Sequence, residues 1–270
     1  MITFREIFNG LRKLDIDRSH PVIAHASLSA FGEVHGGAET VLGALLGAFQ
    51  TVVMPTFTYK TMITPEVGPE GNAMTYGSGQ NANRMAEFFH RDMPADRMMG
   101  VIPEALRLHP NARRSSHPIF SFAGIHATEI LEAQTLAEPL APIGVMWEIQ
   151  GWVLLLGVDH TVSSSIHYAE RLAGRKQFTR WALTANGVVE CPGFPGDSAG
   201  FGVISSRLEK VTRKVQVGSS MIQAVPLVDL IDIVRTWIVE DPQALLCSQP
   251  DCERCVAVRA SLVENPQSPI

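Results

Sequence analysis

The stretch WVLLLGVDHTVSSSIHYAE, Trp152 to Glu170, carries most of the information about the fold. Its apolar run, 153–158, is short, uncharged and rich in Leu and Val, which is typical of a strand buried on both faces of a sheet. Ser163, Ser164 and Ser165 then offer hydroxyl groups that can cap a following helix. Open α/β sheets bind their ligands at the carboxyl ends of such strands. The stretch therefore predicts a site as well as a strand.

His167 and Glu170 lie three residues apart in the predicted helix, so they share one of its faces. His167 falls in the first helical turn, where the helix dipole disfavours an imidazolium. A neutral histidine beside a carboxylate can act as a general base near pH 7. The same spacing is common between solvated residues on exposed helix faces. The pair therefore predicts either a catalytic base or an ordinary surface pair.

Strand-like and helix-like segments alternate along most of the chain. Strands are predicted at 22–25, 51–54, 119–123, 152–158 and 211–217, and helices at 38–49, 102–108, 164–173, 201–209 and 228–239. Asn186-Gly187 predicts a hairpin, because this pair is the strongest two-residue turn signal. The alternation predicts an α/β fold with a mixed, largely parallel sheet flanked by helices. We expect a single domain over residues 1–270, with a small C-terminal subdomain from about residue 176.

The composition excludes several classes of protein. The chain of 270 residues is 46% hydrophobic and 18% charged with a net charge of −5, which indicates a globular protein rather than a disordered one. Without a run of Lys or Arg, binding to nucleic acid is not expected, and the negative charge favours a cationic partner. We find neither a membrane-spanning apolar stretch nor a signal-peptide core in Met1–Gly10. These features predict a cytoplasmic location.

A second informative segment, VIAHASLSAFGEVHGGAETVLGALL, runs from Val22 to Leu46. It reads as a strand, a loop rich in Ser and Gly, and a helix. Such a loop can turn backbone N–H groups toward an anion at a helix N-terminus. It is neither a Walker loop nor a GxGxxG fingerprint, so the segment alone does not identify a ligand.

Six blocks together give a more specific signal. They are HASLSAFGEVHGGAETVLGAL, VVMPTF, MGVIPEALR, RRSSHPIFSFAG, PLAPIG and VLLLGVDHTVSSSIHYAE, in this order. In order and context the chain resembles the aminoglycoside 3-N-acetyltransferases, antibiotic-resistance enzymes that use acetyl-CoA and differ in fold from the GNAT acetyltransferases. The resemblance is densest from Val22 to Glu170 and continues more loosely toward the C-terminus.

The resemblance implies roles for individual residues. His167 would deprotonate the 3-amino group of the antibiotic with help from Glu170, and no metal would be needed. We expect the acceptor to contact Tyr59, Asp159 and Glu170. The residues that the resemblance assigns to acetyl-CoA are His25, Ala26, Ser27, Leu28, Ser29, Gly100, Val101, Ile102, Ser115 and His117. Hydroxyl and backbone N–H groups of the 27–29 loop are the expected donors to the oxyanion.

The chain also departs from the family pattern. Thr161 and Ser163 stand where many members have Asp and Asn before the catalytic histidine, so Asp159 is the expected substitute that orients His167.

The segment 59–97 is longer than usual and predicts either an ordered flap over the acceptor site, with a helix at 81–90, or a decorative surface loop. Its acidic residues, with the negative net charge, predict an acceptor KM that rises with ionic strength.

The cysteines and the function leave alternatives open. Cys247, Cys252 and Cys255 form a C-x4-C-x2-C pattern, and Cys191 is distant in sequence. A structural zinc site needs four ligands, so reduced cysteines without a metal are the favoured interpretation.

The other functions consistent with the sequence are acylation of a different small amine and a non-catalytic CoA-binding role.

Overall fold

The computed structural model of the chain describes residues 1–264, which form two sheets and the helices around them. The strands are β1 Val22–Ala26, β2 Val52–Pro55, β3 Met62–Ile63, β4 Arg113–Arg114, β5 Phe122–Ile125, β6 Trp152–Leu156, β7 Phe178–Thr184, β8 Gly187–Phe194, β9 Arg213–Val217 and β10 Ser220–Pro226. The helices are α1 Phe4–Lys13, α2 Gly37–Ala48, α3 Gln80–Arg84, α4 Val101–Leu108, α5 Thr128–Glu132, α6 Ala141–Glu148, α7 Ser164–Leu172, α8 Ser205–Leu208, α9 Leu227–Glu240 and α10 Glu253–Glu264.

The larger sheet has seven strands in the order β4-β5-β2-β1-β6-β10-β9, and the smaller has three in the order β3-β7-β8. In the larger sheet β1 pairs in parallel with β2 and β6, and the remaining pairings are antiparallel. The predicted mixed α/β fold is thus confirmed, but parallel pairing is limited to the three central strands. Short connections such as the one from β9 to β10 produce antiparallel neighbours, whereas parallel strands need a crossover.

The central strands divide their side chains between two hydrophobic cores. Val22 and Ala24 of β1 pack in the core that α1, α2 and α4 cover. Ile23 of β1, with Val153 and Leu155 of β6, packs in the opposite core beneath α6, α7 and α9. Alternation along a strand sends successive side chains to opposite faces. The prediction of a strand buried on both faces is confirmed for residues 152–156, whereas Gly157 and Val158 lie beyond the end of β6 and are half-buried.

Two predicted elements differ in detail from the structure. Strand β5 begins at Phe122 rather than at residue 119. The backbone before it bonds to the His117 ring instead, since Nδ1 of His117 accepts the N–H groups of Ile119 at 3.1 Å and Phe120 at 2.9 Å. The helix predicted at 201–209 is a 3-10 turn, Phe201–Ile204, followed by α8. The hairpin is confirmed, since β7 and β8 pair through Thr184 and Gly187.

Helix α1 and strand β10 were not predicted from the sequence. Helix α1 carries a recognisable signal, since Thr3 and Glu6 form a capping box.

The chain beyond residue 176 contributes β7 and β8 to the small sheet and β9 and β10 to the large one. A single domain with a C-terminal subdomain stays a prediction. Among the helices of residues 1–264, none has the length and apolar character to cross a bilayer.

The segment 59–97 folds against the small sheet. Strand β3 pairs with β7, and the buried Asn72 accepts from the Thr179 N–H at 2.8 Å and donates to the Thr179 carbonyl at 2.9 Å. The helix predicted at 81–90 is confined to α3, and the Phe89 N–H bonds instead to the Leu183 carbonyl at 2.9 Å. The segment, called the flap below, is therefore ordered and held to the small sheet by backbone and side-chain hydrogen bonds, and its position over an acceptor site stays a prediction.

Candidate active site

Helix α7 begins just beyond the carboxyl end of β6, which is where the sequence predicted a site. Ser163 occupies its N-cap position, but the hydroxyl makes no capping bond. Instead the Ser163 carbonyl accepts the Ile166 N–H at 3.2 Å. The serine run is thus the start of the helix, as expected, while the predicted hydroxyl cap is wrong.

His167 and Glu170 form a hydrogen-bonded pair rather than a solvated surface pair. His167 Nδ1 lies 2.8 Å from Glu170 Oε2, and the Glu170 side chain is only 1% exposed. The Phe201 ring packs edge-on against the imidazole with its centroid 4.7 Å away. An ionised carboxylate can only accept, so Nδ1 carries the hydrogen and Nε2 of the neutral ring keeps a lone pair. This arrangement leaves Nε2 as the basic atom.

Arg175 is the third member of this group, and the sequence analysis missed it. Its Nη1 donates to Glu170 Oε1 at 2.7 Å, and the guanidinium is 2% exposed. The same guanidinium donates to the Ala244 and Pro242 carbonyls, each at 2.9 Å. These three bonds hold the guanidinium in one orientation, and it in turn fixes the position of the Glu170 carboxylate.

Asp159 does not have the orienting role that we expected. Its carboxylate accepts from both the backbone N–H and the hydroxyl of Thr161, and it caps the 3-10 turn His160–Val162. These bonds lower the pKa of Asp159, with the Thr161 hydroxyl contributing most. Thr161 therefore shapes the loop before α7 together with Asp159, and Arg175 is the residue that supports the His167–Glu170 pair.

His167 lines a cavity of about 1330 Å³. The wall contains the loop after β1, the start of α4, part of the flap, the end of β8 and the start of α10. Of the residues assigned to acetyl-CoA by the sequence, those in the wall are His25, Ala26, Ser27, Leu28, Ser29, Gly100 and Val101. Gly100 has a φ of +87°, and a Cβ there would lie 3.5 Å from the Ala26 carbonyl. The distance is an ordinary contact, so the positive φ rather than a lack of space favours glycine at this position.

Three residues assigned to acetyl-CoA lie elsewhere. Ile102 is fully buried in the core beneath α4. Ser115 and His117 line a separate cavity of about 720 Å³, whose wall is rich in arginine. His117 acts as an acceptor for the backbone before β5, and burial lowers its pKa to about 4. The structure therefore separates these three side chains from the cavity that His167 lines, and their contact with acetyl-CoA stays a prediction.

The loop after β1 presents a limited set of hydrogen-bond donors to the cavity. The Ser27 N–H already donates to the Leu156 carbonyl at 3.0 Å, so it is not available. The hydroxyls of Ser27 and Ser29 lie 3.0 Å apart. The N–H groups at the start of the 3-10 turn Ser29–Phe31 lack intrahelical partners. Burial and then the nearby His160 lower the pKa of His25 to about 4, so this ring is neutral at pH 7.

The side of the cavity formed by the flap differs from the acidic surface that we expected. Tyr59 lines it, and burial raises the pKa of this phenol to about 12. Glu170 lies behind His167, and Asp159 is not part of the wall. The carboxylates of the wall in residues 1–264 are Asp197, paired with Arg254 at 2.8 Å, and Glu253. The flap residues Glu66, Glu70 and Glu87 are exposed outside it.

Comparison with known sequences agrees with this geometry. A family model described as aminoglycoside 3-N-acetyltransferase matches residues 23–239. The chain is 31% identical over 197 residues to the SPbeta prophage-derived aminoglycoside N(3')-acetyltransferase-like protein YokD of Bacillus subtilis, covering 67% of this chain and 69% of that protein. It is 27% identical over 257 residues to aminoglycoside N(3)-acetyltransferase III of Salmonella sp, covering 79% and 82%.

Solved structures share the fold. The aminoglycoside acetyltransferase AAC(3)-IVa apoenzyme aligns with a TM-score of 0.78 at 23% identity, covering 96% of this chain and 98% of that one. A mutant of that enzyme has been solved with a gentamicin. AAC-IIIb, solved as a binary complex with CoASH, aligns with a TM-score of 0.70 at 20% identity, covering 88% and 96%. With the family model matched over 23–239, the chain belongs to the aminoglycoside 3-N-acetyltransferases, a family of acyltransferases.

Proposed function

We propose that this protein transfers the acetyl group of acetyl-CoA to the 3-amino group of aminoglycoside antibiotics and thereby confers resistance. The observation that carries the proposal is His167 in the cavity wall, hydrogen-bonded to the buried Glu170 and facing the same space as the Ser27–Ser29 loop. Relatives of this fold bind CoASH and gentamicin. Because acetyl-CoA is a cytoplasmic metabolite, we also propose that the protein works in the cytoplasm.

The residues of the site support direct transfer within a ternary complex. His167 Nε2 accepts a proton from the amine as its nitrogen attacks the thioester carbonyl. Glu170 stabilises the imidazolium that forms, and Arg175 holds Glu170. The Ser29 N–H and the Ser27 and Ser29 hydroxyls, which lie in the loop after β1, donate to the oxyanion. When the C–S bond breaks, the imidazolium returns the proton to the departing sulfur, so the base is regenerated.

Holding the two substrates together in one cavity contributes much of the acceleration. A cavity of about 1330 Å³ is large enough for a thioester arm and an acceptor side by side. Tyr59, as an uncharged phenol with an apolar ring, can donate a hydrogen bond to the acceptor and pack against a sugar ring.

We expect Glu253→Gln to raise the KM for a cationic aminoglycoside by a factor of about 1.4 to 5, because an exposed charge interaction contributes about 0.2–1 kcal/mol. Glu253 is exposed at the start of α10 and lines the cavity. The KM for acetyl-CoA should not change, and the effect should weaken at high salt. Steady-state kinetics at two ionic strengths measure both. Glu66→Gln is the matched control, because Glu66 is exposed on the flap outside the cavity wall. Equal effects of the two variants would contradict a role for Glu253.

We expect Asn72→Ala to change the acceptor profile more than the KM for acetyl-CoA. Asn72 joins the flap to the Thr179 backbone through two hydrogen bonds and also donates to the Tyr76 hydroxyl at 2.7 Å. Removing them leaves the Thr179 groups without these partners, at a cost of about 1–3 kcal/mol. Relative rates on a panel of aminoglycosides would measure the change. Ser78→Ala, an exposed position in the same segment, should retain the original profile.

A thiol-release screen tests the proposed function directly. The purified protein is given acetyl-CoA and one acceptor at a time: aminoglycosides with and without a 3-amino group, then simple mono- and diamines. Thiol release that requires the 3-amino group supports the proposal. Release with small amines alone would identify the acylation of a different amine. CoA binding without release for any acceptor would indicate the non-catalytic role.

A further inference from the structure

Three of the four cysteines converge at the start of the last helix. The Sγ atoms of Cys247, Cys252 and Cys255 all lie within 4.8 Å of one another. Cys255 is fully buried, and none of the three is in a disulfide. The sequence alone favoured reduced cysteines without a metal. Three sulfur atoms this close, in a protein that does not use them in the transfer reaction, point to a different role.

The spacing of these sulfur atoms fits a tetrahedral metal ion. Zinc binds thiolates at about 2.3 Å, which places sulfur ligands of one tetrahedron roughly 3.8 Å apart. The cluster is therefore within a small side-chain adjustment of coordination geometry. Its donors are all soft sulfur atoms, which select Zn²⁺ or Cu⁺ over Mg²⁺ or Ca²⁺. Zinc is the ion that best suits a redox-inert site made of three thiolates.

The local backbone is suited to hold such an ion. The Cys252 carbonyl accepts the Val256 N–H at 2.9 Å, so Cys252 and Cys255 flank the first turn of α10. A helix N-terminus favours negative charge, and three thiolates with Zn²⁺ carry a net charge of −1. Arg259, on the same helix, donates to the Cys247 carbonyl at 2.6 Å and brings a positive charge to the cluster.

We infer that Cys247, Cys252 and Cys255 bind one zinc ion through three thiolates. Within residues 1–264 the cluster has these three members, so the fourth position belongs to a water molecule or a small anion. Cys252 is the partly exposed ligand and lines the cavity, so solvent reaches this side of the cluster. Three protein ligands with one exchangeable position are known from catalytic zinc centres, whereas structural zinc sites are usually closed by four protein ligands, so this would be an open site.

The position of the site defines its structural effect. Cys247 lies three residues beyond Ala244, whose carbonyl binds Arg175. Cys252 and the following residues, Glu253 and Arg254, line the cavity. Zinc would therefore fasten the start of α10 to the segment that supports the His167–Glu170–Arg175 group. Its contribution is to hold these elements together, and the acetyl transfer itself does not pass through the metal.

The test is the metal content of the purified full-length chain, which does not depend on activity. After expression with zinc, reducing purification and gel filtration, elemental analysis should give about one zinc per chain. Cys252→Ser, chosen because this ligand is partly exposed, should lose most of it. Cys191→Ser is the matched control, since Cys191 is buried and outside the cluster. Cobalt loading should produce thiolate-to-cobalt charge-transfer absorption in the wild-type chain and in Cys191→Ser, and not in Cys252→Ser.

Stripping the metal from the unmutated chain gives an independent measurement in case a variant folds poorly. A thiol-compatible chelator should lower the melting temperature, and added zinc should restore it. Metal content near zero in the zinc-grown protein would overturn the inference. So would equal zinc in Cys252→Ser and wild type, or a disulfide among the three cysteines in protein purified under reducing conditions.

Discussion

His167→Ala is expected to lower kcat/KM for acetyl transfer by about 10²–10⁴-fold, which is the usual contribution of a general base. The imidazole is the basic group of the cavity whose proton-bearing nitrogen is fixed by a buried carboxylate. His25 also lines the cavity, but its pKa of about 4 makes it a far weaker base. The alanine variant leaves the Ser27–Ser29 loop intact, so the affinity for CoA should be close to that of the wild type.

Thiol release under saturating acetyl-CoA measures the loss, and calorimetric titration with CoA measures the retained binding. His126→Asn is the control, because His126 is exposed, lies outside the cavity wall and has a left-handed φ of +53° that asparagine tolerates. Turnover within a few-fold of the wild type in His167→Ala would reject the base assignment. Loss of CoA affinity together with turnover would indicate a disturbed cavity instead.

Local sequence patterns predicted the centre of the fold well, for a physical reason. The 152–158 run and the 22–25 segment are apolar because they lie between two cores, and such burial leaves a direct trace in composition. The pairing of His167 with Glu170 could also be predicted, because i, i+3 geometry is fixed within one helix. At the edges of the sheet, β9 was predicted at 211–217, whereas β4 is only two residues long, Arg113–Arg114, and was not predicted.

The parts of the site that the sequence could not provide depend on distant segments. Arg175 is separated by 67 and 69 residues from the carbonyls of Pro242 and Ala244 that fix it. No local pattern marks a buried arginine whose partners are backbone atoms of another element. His117 illustrates the opposite case, since its motif is clear but its ring turns to its own backbone. A motif identifies a segment, whereas side-chain direction is set by tertiary packing.

Arg175→Met is expected to have the largest effect on stability, lowering the free energy of unfolding by about 3–5 kcal/mol. The substitution keeps an unbranched side chain but leaves the Glu170 carboxylate, 1% exposed, without its cationic partner. The carbonyls of Pro242 and Ala244 also lose their donor. Breaking one side of a buried ion pair costs more than the pair itself contributes, because the remaining charge is desolvated without compensation.

Urea unfolding measures the loss, and Arg171→Met provides the comparison within the same part of the chain. Arg171 pairs with Glu138 at the surface, where both side chains are substantially exposed, so its loss should cost about 0–1 kcal/mol. Adding Glu170→Gln to Arg175→Met removes the stranded charge and should restore part of the stability. Acetyl transfer should nevertheless stay low, because the amide no longer stabilises the His167 imidazolium. Stability and activity recovering together in the double variant would show that the carboxylate serves folding alone; recovery of stability without activity would separate its structural role from its catalytic one.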